Sequence, residues 1–433
     1  MNWRFNDNSI YKEKLDLVKE EKRAVIHSFH RYYGKLIPAI PRAFIKEFTN
    51  EGDVVADLFS GSGTVAVESK ILNRNFVGCE INPLSHYISV VKTTAYDVCK
   101  LLELNQLIKR DLETNVDTFV FSEEKIPFCI NRDHWFKTEV QRDLVFIKET
   151  VDNILQQKLN NEELDTYKKF YYACISAVIR NVSNADPATV FPGISKKIRR
   201  LEAEGKIHKN AIKTYCDAIN KRAKYFSVYE NCGNTIVNIK CDDSTKVDLN
   251  EYENSVSLFV TNPPYISSVR YIETMKLEMY WLEFIKNSNE YSSLANQMLG
   301  NDKVSKKDFT KDIKIKHSEI NDLVKNIKAK SIKDAFIVAK YFVDMEQVIQ
   351  KMYKLLKNHG KVVVKISDSN VKKTKVETGK YLSIIAERCG FKLVDVFLDR
   401  INDNSRSLTT ARNTYSDIIL NDNIIIWEKV EEW

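Results

Sequence analysis

One short stretch constrains the fold of this chain more than any other part of its sequence. An apolar run over 54–59 leads through Gly61-Ser62-Gly63 into a helical pattern over 64–72, and a second apolar run follows at 76–80. A strand, a glycine turn, a helix and a strand in this order are typical of α/β proteins with a parallel sheet. The chain has only 12 glycines in 433 residues, yet four of them fall within 52–78. This clustering indicates backbone that turns tightly or lies close to a ligand.

The rest of the chain divides into strand-rich ends and a helical middle. Further strands are predicted at 235–240, 256–261, 361–366, 391–398 and 423–429, the last two joined by a polar loop. Helices are predicted at 36–50, 138–157, 163–182, 334–357 and 378–389. We therefore expect a sheet domain built from 1–95 and 233–433, interrupted by a helical insertion over 96–232. The lysine-rich stretch 286–333 is predicted to be a loop or a partly ordered insertion.

Composition excludes several classes of protein. Hydrophobic residues make up 43% of the chain and charged residues 29%, as in ordinary globular proteins. No apolar run approaches the ~18 residues of a membrane span, and the N-terminus lacks a signal-peptide pattern, so we expect a cytoplasmic protein with no membrane partner. The eight cysteines form no CxxC pair, which argues against a structural metal site or a disulfide framework.

A cofactor site is indicated where the first two strands end. The loop after 54–59 is neither a GxGxxG fingerprint nor a P-loop, and by itself it could be a purely structural turn. The second strand ends in Glu80, at the position where a carboxylate grips ribose hydroxyls in doubly wound folds. Together, the loop and the acid favour a ribose-bearing cofactor over a structural turn beside a solvated acid.

The most specific motif is Asn262-Pro263-Pro264-Tyr265, which follows the apolar strand 256–261. Two consecutive prolines fix the backbone and supply carbonyls without N–H donors. The Asn262 side-chain oxygen and the Pro263 carbonyl could both accept from one amino group, and Tyr265 offers a ring face for stacking a planar base. Two such acceptors would pull an exocyclic amine towards tetrahedral geometry and free its lone pair for attack. A rigid turn without chemistry is the alternative.

In the text and order of these motifs the chain resembles the S-adenosylmethionine-dependent DNA amino-methyltransferases. The resemblance implies a Rossmann-like class I methyltransferase sheet with a large helical insertion. The loop from Asp57 resembles the family's cofactor loop, Glu80-Ile81-Asn82 its ribose-binding segment, and Asp243, with Asp242 as second choice, the acid that meets the cofactor adenine. The segment 30–38 resembles the part that flanks the methionine end of the cofactor. The residues that the resemblance assigns to S-adenosylmethionine are Tyr33, Lys35, Pro38, Asp57, Phe59, Ser60, Gly61, Gly63, Thr64, Glu80, Ile81, Asn82, Asp243 and Asn262.

The family chemistry implied is direct methyl transfer to an exocyclic amine of a base flipped out of the duplex. Asn262, Pro263, Pro264 and Tyr265 would be the catalytic residues. Asparagine before Pro-Pro-Tyr is typical of N6-adenine enzymes and serine of N4-cytosine enzymes, so adenine is favoured, with N4-cytosine as the alternative. Methylation of RNA or of a protein amide remains open because NPPY also serves those reactions.

Double-stranded DNA is the expected partner, because positive charge is concentrated in the helical insertion. The segment 195–225 holds ten Lys or Arg against three acids, a net charge of +7 that equals that of the whole chain. Such side chains contact phosphates, although a solvated basic helix face is the alternative. The residues predicted to bind DNA are Arg180, Asn181, Ser183, Lys196, Lys197, Arg199 and Arg200. The first three could instead be a helix cap, and a catalytically silent DNA-binding module is a further alternative. A restriction-modification role, with a cognate endonuclease as partner, would suit this combination.

Overall fold

The structure is a computed structural model that describes residues 3–206, 209–266, 270–301, 304, 306–309, 313–400 and 421–430. Its strands within these ranges are β1 (Val54–Asp57), β2 (Asn75–Cys79), β3 (Val237–Lys240), β4 (Val256–Thr261), β5 (Leu356–Ile366), β6 (Ser369–Val371), β7 (Thr374–Val376), β8 (Phe391–Arg400) and β9 (Asn421–Lys429). Its helices are α1 (Ile10–Lys19), α2 (Ala39–Phe48), α3 (Thr64–Ile71), α4 (Pro83–Thr93), α5 (Val98–Asn115), α6 (Arg132–Trp135), α7 (Thr138–Lys158), α8 (Asn161–Val182), α9 (Lys196–Ala203), α10 (Ala211–Ala223), α11 (Tyr271–Thr274), α12 (Lys276–Trp281), α13 (Ser288–Gln297), α14 (Lys306–Phe309), α15 (Ser318–Lys328), α16 (Ile332–Leu355) and α17 (Thr378–Arg388).

Seven of these strands form one twisted sheet in the order β3-β2-β1-β4-β5-β9-β8. The strands from β3 to β5 pair in parallel, whereas β9 is antiparallel to both of its neighbours. The chain leaves β1 towards one edge of the sheet through β2 and β3 and returns to place β4 on the other side of β1. The point where the strand order reverses therefore lies between β1 and β4, where open α/β sheets bind their ligands.

Three groups of buried side chains hold the molecule together. One face of the sheet packs against α1 and α2, and the other packs against α15, α16 and α17. The third group fills the interior of the helical region and includes apolar side chains of α4, α5, α7, α8, α10 and α12. Because α4 and α12 belong to the segments that follow β2 and β4, the helical region is packed directly against the end of the sheet where those strands finish.

The predicted α/β fold is confirmed, and the predicted strands and long helices lie within a few residues of those in the structure. Within the described part of 80–236 the secondary structure is helical. The interpretation of 286–333 as a loop is wrong, because α13 and α15 form there; α15 buries Ile320, Leu323 and Ile327 on one face. The small β6–β7 hairpin was not predicted. The polar loop expected between the last two strands, 401–420, lies outside the described residues.

Candidate active site and cofactor cleft

The carboxyl ends of β1 to β4 open into one cleft. Eleven of the residues predicted from the sequence line it: Lys35, Asp57, Phe59, Ser60, Gly61, Thr64, Glu80, Ile81, Asp243, Asn262 and Pro264. Residues separated by more than 200 positions in the chain thus meet at one end of the sheet.

Asp57 joins the ends of the two strands at the switch point. Its Oδ1 accepts hydrogen bonds from the Phe59 N–H at 2.9 Å and from the Thr261 hydroxyl at 2.7 Å. Burial raises the pKa of the Asp57 carboxyl to about 7, although the two hydrogen bonds act in the opposite direction. The carboxylate therefore fixes the cofactor loop to β4, immediately before Asn262.

Two backbone N–H groups, one from the cofactor loop and one from the segment after β2, hold the Glu80 carboxylate in place. Its Oε2 accepts from the Gly61 N–H at 2.7 Å, and its Oε1 accepts from the Asn82 N–H at 2.8 Å. Burial raises the pKa of Glu80 to about 7 against the effect of these bonds. Each carboxylate oxygen keeps a further lone pair, so Glu80 can still accept from ligand hydroxyls, as a ribose requires.

The glycine loop is shaped for close approach and for packing. Gly61, with φ of 52°, lies under the ring of Tyr32, whose hydroxyl would be 3.1 Å from an added Cβ. Gly63, with φ of 74°, faces away from the cleft; its Cβ would lie 2.7 Å from that of Ser89 in α4, so no larger residue fits. The buried Lys92 of α4 donates to the Ser62 carbonyl at 2.7 Å and supports the loop from beneath.

The NPPY motif presents an oriented amide to the cleft. Asn262 is half-buried, and its Nδ2 donates to the Gly34 carbonyl at 3.2 Å, which leaves Oδ1 as the acceptor of the amide. The Tyr265 hydroxyl lies 3.4 Å from this Oδ1. Pro264 lines the cleft with Asn262, whereas Pro263 is buried outside the lining and Tyr265 packs against the sheet core.

The segment 30–38 contributes to the cleft through only part of its predicted residues. Lys35 lines the cleft, and its ammonium donates to the carbonyls of His27 at 2.6 Å and His30 at 3.3 Å. Burial lowers the pKa of Lys35 to about 8. Tyr33 faces away and donates to the Thr189 carbonyl at 2.8 Å, and Pro38 precedes α2 as its N-cap. Neither Tyr33 nor Pro38 lines the cleft.

Two acids after β3 reach the cleft. The Oδ1 of Asp243 accepts from the backbone N–H and the hydroxyl of Thr245, and its Oδ2 lies 3.2 Å from the Lys246 ammonium. Burial opposes ionisation of Asp243, but these partners lower its pKa overall. Asp242 also lines the cleft and is exposed.

Asn82, which was predicted to bind the cofactor, is buried and does not line the cleft. Its side chain caps α4 by accepting hydrogen bonds from the backbone N–H groups of Leu84 and Ser85.

Sequence reasoning missed the aromatic and far-side parts of the cleft. Tyr32 and Tyr271 stack with centroids 6.0 Å apart, and Gly34, with φ of 72°, leaves room for the Tyr271 hydroxyl. The residues from the far side are Arg270, Tyr271, Ile272, Glu273, Tyr291, Ala295, Gln297, Met298, Leu299 and Asn301. The tyrosine pair in 32–33 was a visible signal, whereas nothing in the sequence linked 291–301 to the site.

The predicted DNA-binding residues fall into two groups. In α9, Lys196, Lys197, Arg199 and Arg200 are all exposed. At the end of α8, however, Arg180 is only 3% exposed and donates to the Thr189 carbonyl at 3.0 Å, and Ser183 is fully buried. We therefore do not retain Arg180 and Ser183 as DNA contacts, because their side chains hold the loop that leads to α9. Asn181 is exposed.

Comparison with known proteins agrees with this geometry. A family model for N6/N4-type enzymes, described as DNA methylase, matches residues 9–91. The chain is 26% identical over 407 residues to the type II methyltransferase M.MvaI of Kocuria varians, covering 88% of this chain and 84% of the relative. It is 22% identical over 482 residues to M.BsoBI of Geobacillus stearothermophilus, covering 98% and 89%. It is 33% identical over 161 residues to M.MjaII of Methanocaldococcus jannaschii, covering 36% and 30%.

The cleft suits S-adenosylmethionine, the cofactor of this family. Glu80 would hold the ribose and Asp242 or Asp243 the adenine, and the loop 59–61 lines the cleft between them and Asn262. When bound, this cofactor supplies an electrophilic methyl group on a sulfonium. No described helix could cross a membrane, and the described residues contain no cluster of three or more potential metal ligands. The cleft, the sheet, the matched family model and these relatives together support the S-adenosylmethionine-dependent DNA amino-methyltransferases of N6/N4 type as the family that this chain resembles.

Proposed function

We propose that this protein methylates the N6 amine of adenine within a short, specific sequence of double-stranded DNA, in a restriction-modification system. The observation that carries the proposal is the orientation of Asn262. Because its Nδ2 is used by the Gly34 carbonyl, its Oδ1 is the amide atom available to an amine. An amine that donates a hydrogen bond to this oxygen would be held in the same cleft as the residues proposed to bind the cofactor.

The protein's contribution to rate would be orientation and preset acceptors rather than a covalent intermediate. Asn262 Oδ1 becomes a better partner as positive charge develops on the attacking nitrogen, so the interaction strengthens on the way to the transition state. Asp57 and Thr261 keep the strand end before Asn262 in register with the cofactor loop.

A base in a duplex cannot reach Asn262, because its amine is paired and stacked. We therefore propose that the target base is flipped into the cleft. The exposed cationic residues of α9 would hold phosphates while the base leaves the stack. The loop 183–195, which leads to α9, is tied to the segment 30–38, because Tyr33 donates to its Thr189 carbonyl at 2.8 Å.

Adenine is favoured over cytosine because asparagine, not serine, precedes Pro-Pro-Tyr. N4-cytosine is the alternative, since both bases carry an exocyclic amine on a six-membered ring. RNA and protein amides are further alternatives for the same motif, and α9 favours a nucleic acid over a protein. The oriented Asn262 favours an enzyme over a silent DNA-binding module.

The test supplies methyl-labelled S-adenosylmethionine with unmethylated bacteriophage DNA, total RNA or protein, and digests the labelled DNA to nucleosides. We expect label in DNA alone, as N6-methyl-2′-deoxyadenosine. Label as N4-methyl-2′-deoxycytidine would leave the amine chemistry standing but overturn the choice of base. Label only in RNA or protein would overturn the substrate. Asn262→Ala is the matched control: it should abolish transfer while calorimetry shows cofactor binding within about twofold of wild type.

A further inference from the structure

The segment 291–301, which we name the cleft wall, lines the same cleft as the cofactor loop. It runs from the second turn of α13 into the turn that follows. Its lining residues face the same cavity as Asn262 and Pro264; they are Tyr291, Ala295, Gln297, Met298, Leu299 and Asn301. The sequence alone predicted no function for this polar stretch, which lies within the segment 286–333 interpreted as a loop or a partly ordered insertion.

The cleft wall bridges the two halves of the molecule. Leu294, Ala295 and Met298 pack against the core of the helical region, whereas Leu299 packs against the sheet core, as does Tyr265. The turn is closed on itself, because Asn301 Nδ2 donates to the Ala295 carbonyl at 2.7 Å. The segment is therefore held at both ends over the NPPY motif.

One glycine brings the cleft wall into contact with that motif. Gly300 has φ of 77°, in the left-handed region, and a Cβ added to it would lie 2.8 Å from the Tyr265 carbonyl oxygen. The ring of Tyr341 stands 3.8 Å away on the other side of that position. A larger residue would have to move the backbone of the NPPY motif, because a carbonyl oxygen cannot swing aside as a flexible side chain can.

At the mouth of the cleft the cleft wall carries a side-chain amide. Gln297 is exposed, and its Nε2 donates to the Ser293 hydroxyl at 3.2 Å, which directs its Oε1 as an acceptor. An amide in such a place can pair with the edge of a base.

We propose that the cleft wall is the outer side of the pocket for the acceptor base, that Gly300 positions the NPPY motif, and that Gln297 contacts the entering nucleotide. This rests on the proposed function, because it takes a DNA base as the occupant. Gly300 acts through Tyr265 and is a positioning residue. Gln297 meets the substrate itself and contributes to its affinity.

The first test is Gly300→Ala, with Gly52→Ala as the matched control. Gly52 also has a positive φ, 83°, but no atom lies within 4 Å of its added Cβ, so this variant carries the backbone strain without the clash. We expect Gly300→Ala to lower kcat on bacteriophage DNA by at least about tenfold, since displacements below 1 Å at a reacting centre are costly. Its dissociation constant for S-adenosylmethionine should stay within about twofold of wild type, and Gly52→Ala should match wild type in both. Equal kcat in the two variants, or cofactor affinity lost in parallel with kcat, would overturn the positioning role.

The second test does not depend on a strained backbone. Gln297→Ala should raise KM for DNA by about fivefold with kcat and cofactor affinity little changed, on the scale of one lost hydrogen bond. Asn296→Ala, which removes an exposed amide outside the lining on the same helix, should leave KM unchanged. An unchanged KM in Gln297→Ala would remove this residue from the substrate contact. Wild-type protein that fails to methylate any DNA would instead refute the proposed function itself.

Discussion

The hydroxyl of Thr261 joins β4 to the cofactor loop through Asp57, so its removal should lower the free energy of unfolding by an amount that depends on pH. In Thr261→Val the side chain keeps its size, but Asp57 loses the 2.7 Å hydrogen bond that ties β4 to the cofactor loop. Both residues are almost fully buried, so water cannot replace the lost donor. The carboxylate would then keep the Phe59 N–H as its remaining described donor.

The size of the loss depends on the charge of Asp57. A hydrogen bond to an ionised group contributes about 1.5–3 kcal/mol, and one between neutral groups about 1 kcal/mol. The pKa of Asp57 in the folded protein is about 7, above its ordinary value of 3.8. Folded Asp57 therefore binds its proton more tightly than unfolded Asp57, and the stability contributed by this group falls as the pH rises between those values. Loss of the hydroxyl raises this pKa further, so we expect Thr261→Val to cost about 2 kcal/mol at pH 8 and about 1 kcal/mol at pH 6.

Urea unfolding followed by circular dichroism at the two pH values measures this difference. Thr93→Val is the matched control, because the buried Thr93 hydroxyl donates to the neutral Ser89 carbonyl at 2.9 Å. Its cost should be about 1 kcal/mol at both pH values. If Thr261→Val lowered the free energy of unfolding equally at pH 6 and pH 8, or more at pH 6, its hydrogen bond would not depend on the charge of Asp57 in the way proposed.

Three further predictions concern binding. Burial holds the pKa of the Lys92 amino group well below its ordinary value, so replacing Lys92 by Met should leave the free energy of unfolding unchanged or raise it. Because Lys92→Met also removes the donor to the Ser62 carbonyl, calorimetry should show about tenfold weaker binding of S-adenosylmethionine. An unchanged affinity would show that this hydrogen bond does not support the cofactor loop. Neutralising the four cationic residues of α9 to Gln should reduce the magnitude of the slope of log affinity for DNA against log salt by about 3.6 if each contacts one phosphate, and an unchanged slope would exclude α9 from the interface. Because burial raises the pKa of Glu80 to about 7, the acceptor carboxylate is lost below neutral pH, so cofactor affinity should fall between pH 8 and pH 6. Glu80→Gln should weaken that dependence, with the remainder due to Asp57, whose pKa is also about 7 in the same cleft, and an unchanged dependence would exclude Glu80 as its cause.

The parts of the site that the sequence predicted share one physical cause. β1, β2 and β4 are largely apolar and buried, and the polar residue at or just after the end of each strand is placed at the carboxyl edge of the sheet by the strand itself. Asp57, Glu80 and Asn262 were predictable in this way, because local pattern and global position agree there. The helical pattern of α15 was also visible, since Ile320, Leu323 and Ile327 recur at helical spacing, but its lysine content concealed it.

What escaped prediction depends on contacts between distant segments. Arg180 looked like an exposed side chain at a helix end, yet it is buried because the Thr189 carbonyl supplies a partner from the following loop. Tyr271 and Gly300 acquire their roles only where they meet Gly34 and the Tyr265 carbonyl. Local sequence patterns cannot predict these contacts, because they depend on how the helical region packs against the sheet.

The oriented Asn262 amide should make this protein an amino-methyltransferase of DNA. Long-read sequencing can compare DNA from cells that express the wild-type chain with DNA from cells that express Asn262→Ala. We expect N6-methyladenine at nearly every copy of one short sequence with the wild-type chain and at none with the variant. The same pattern with N4-methylcytosine would keep the mechanism and change the base. Unmodified DNA in cells that contain the folded wild-type chain, or equal modification by the variant, would refute the role of Asn262.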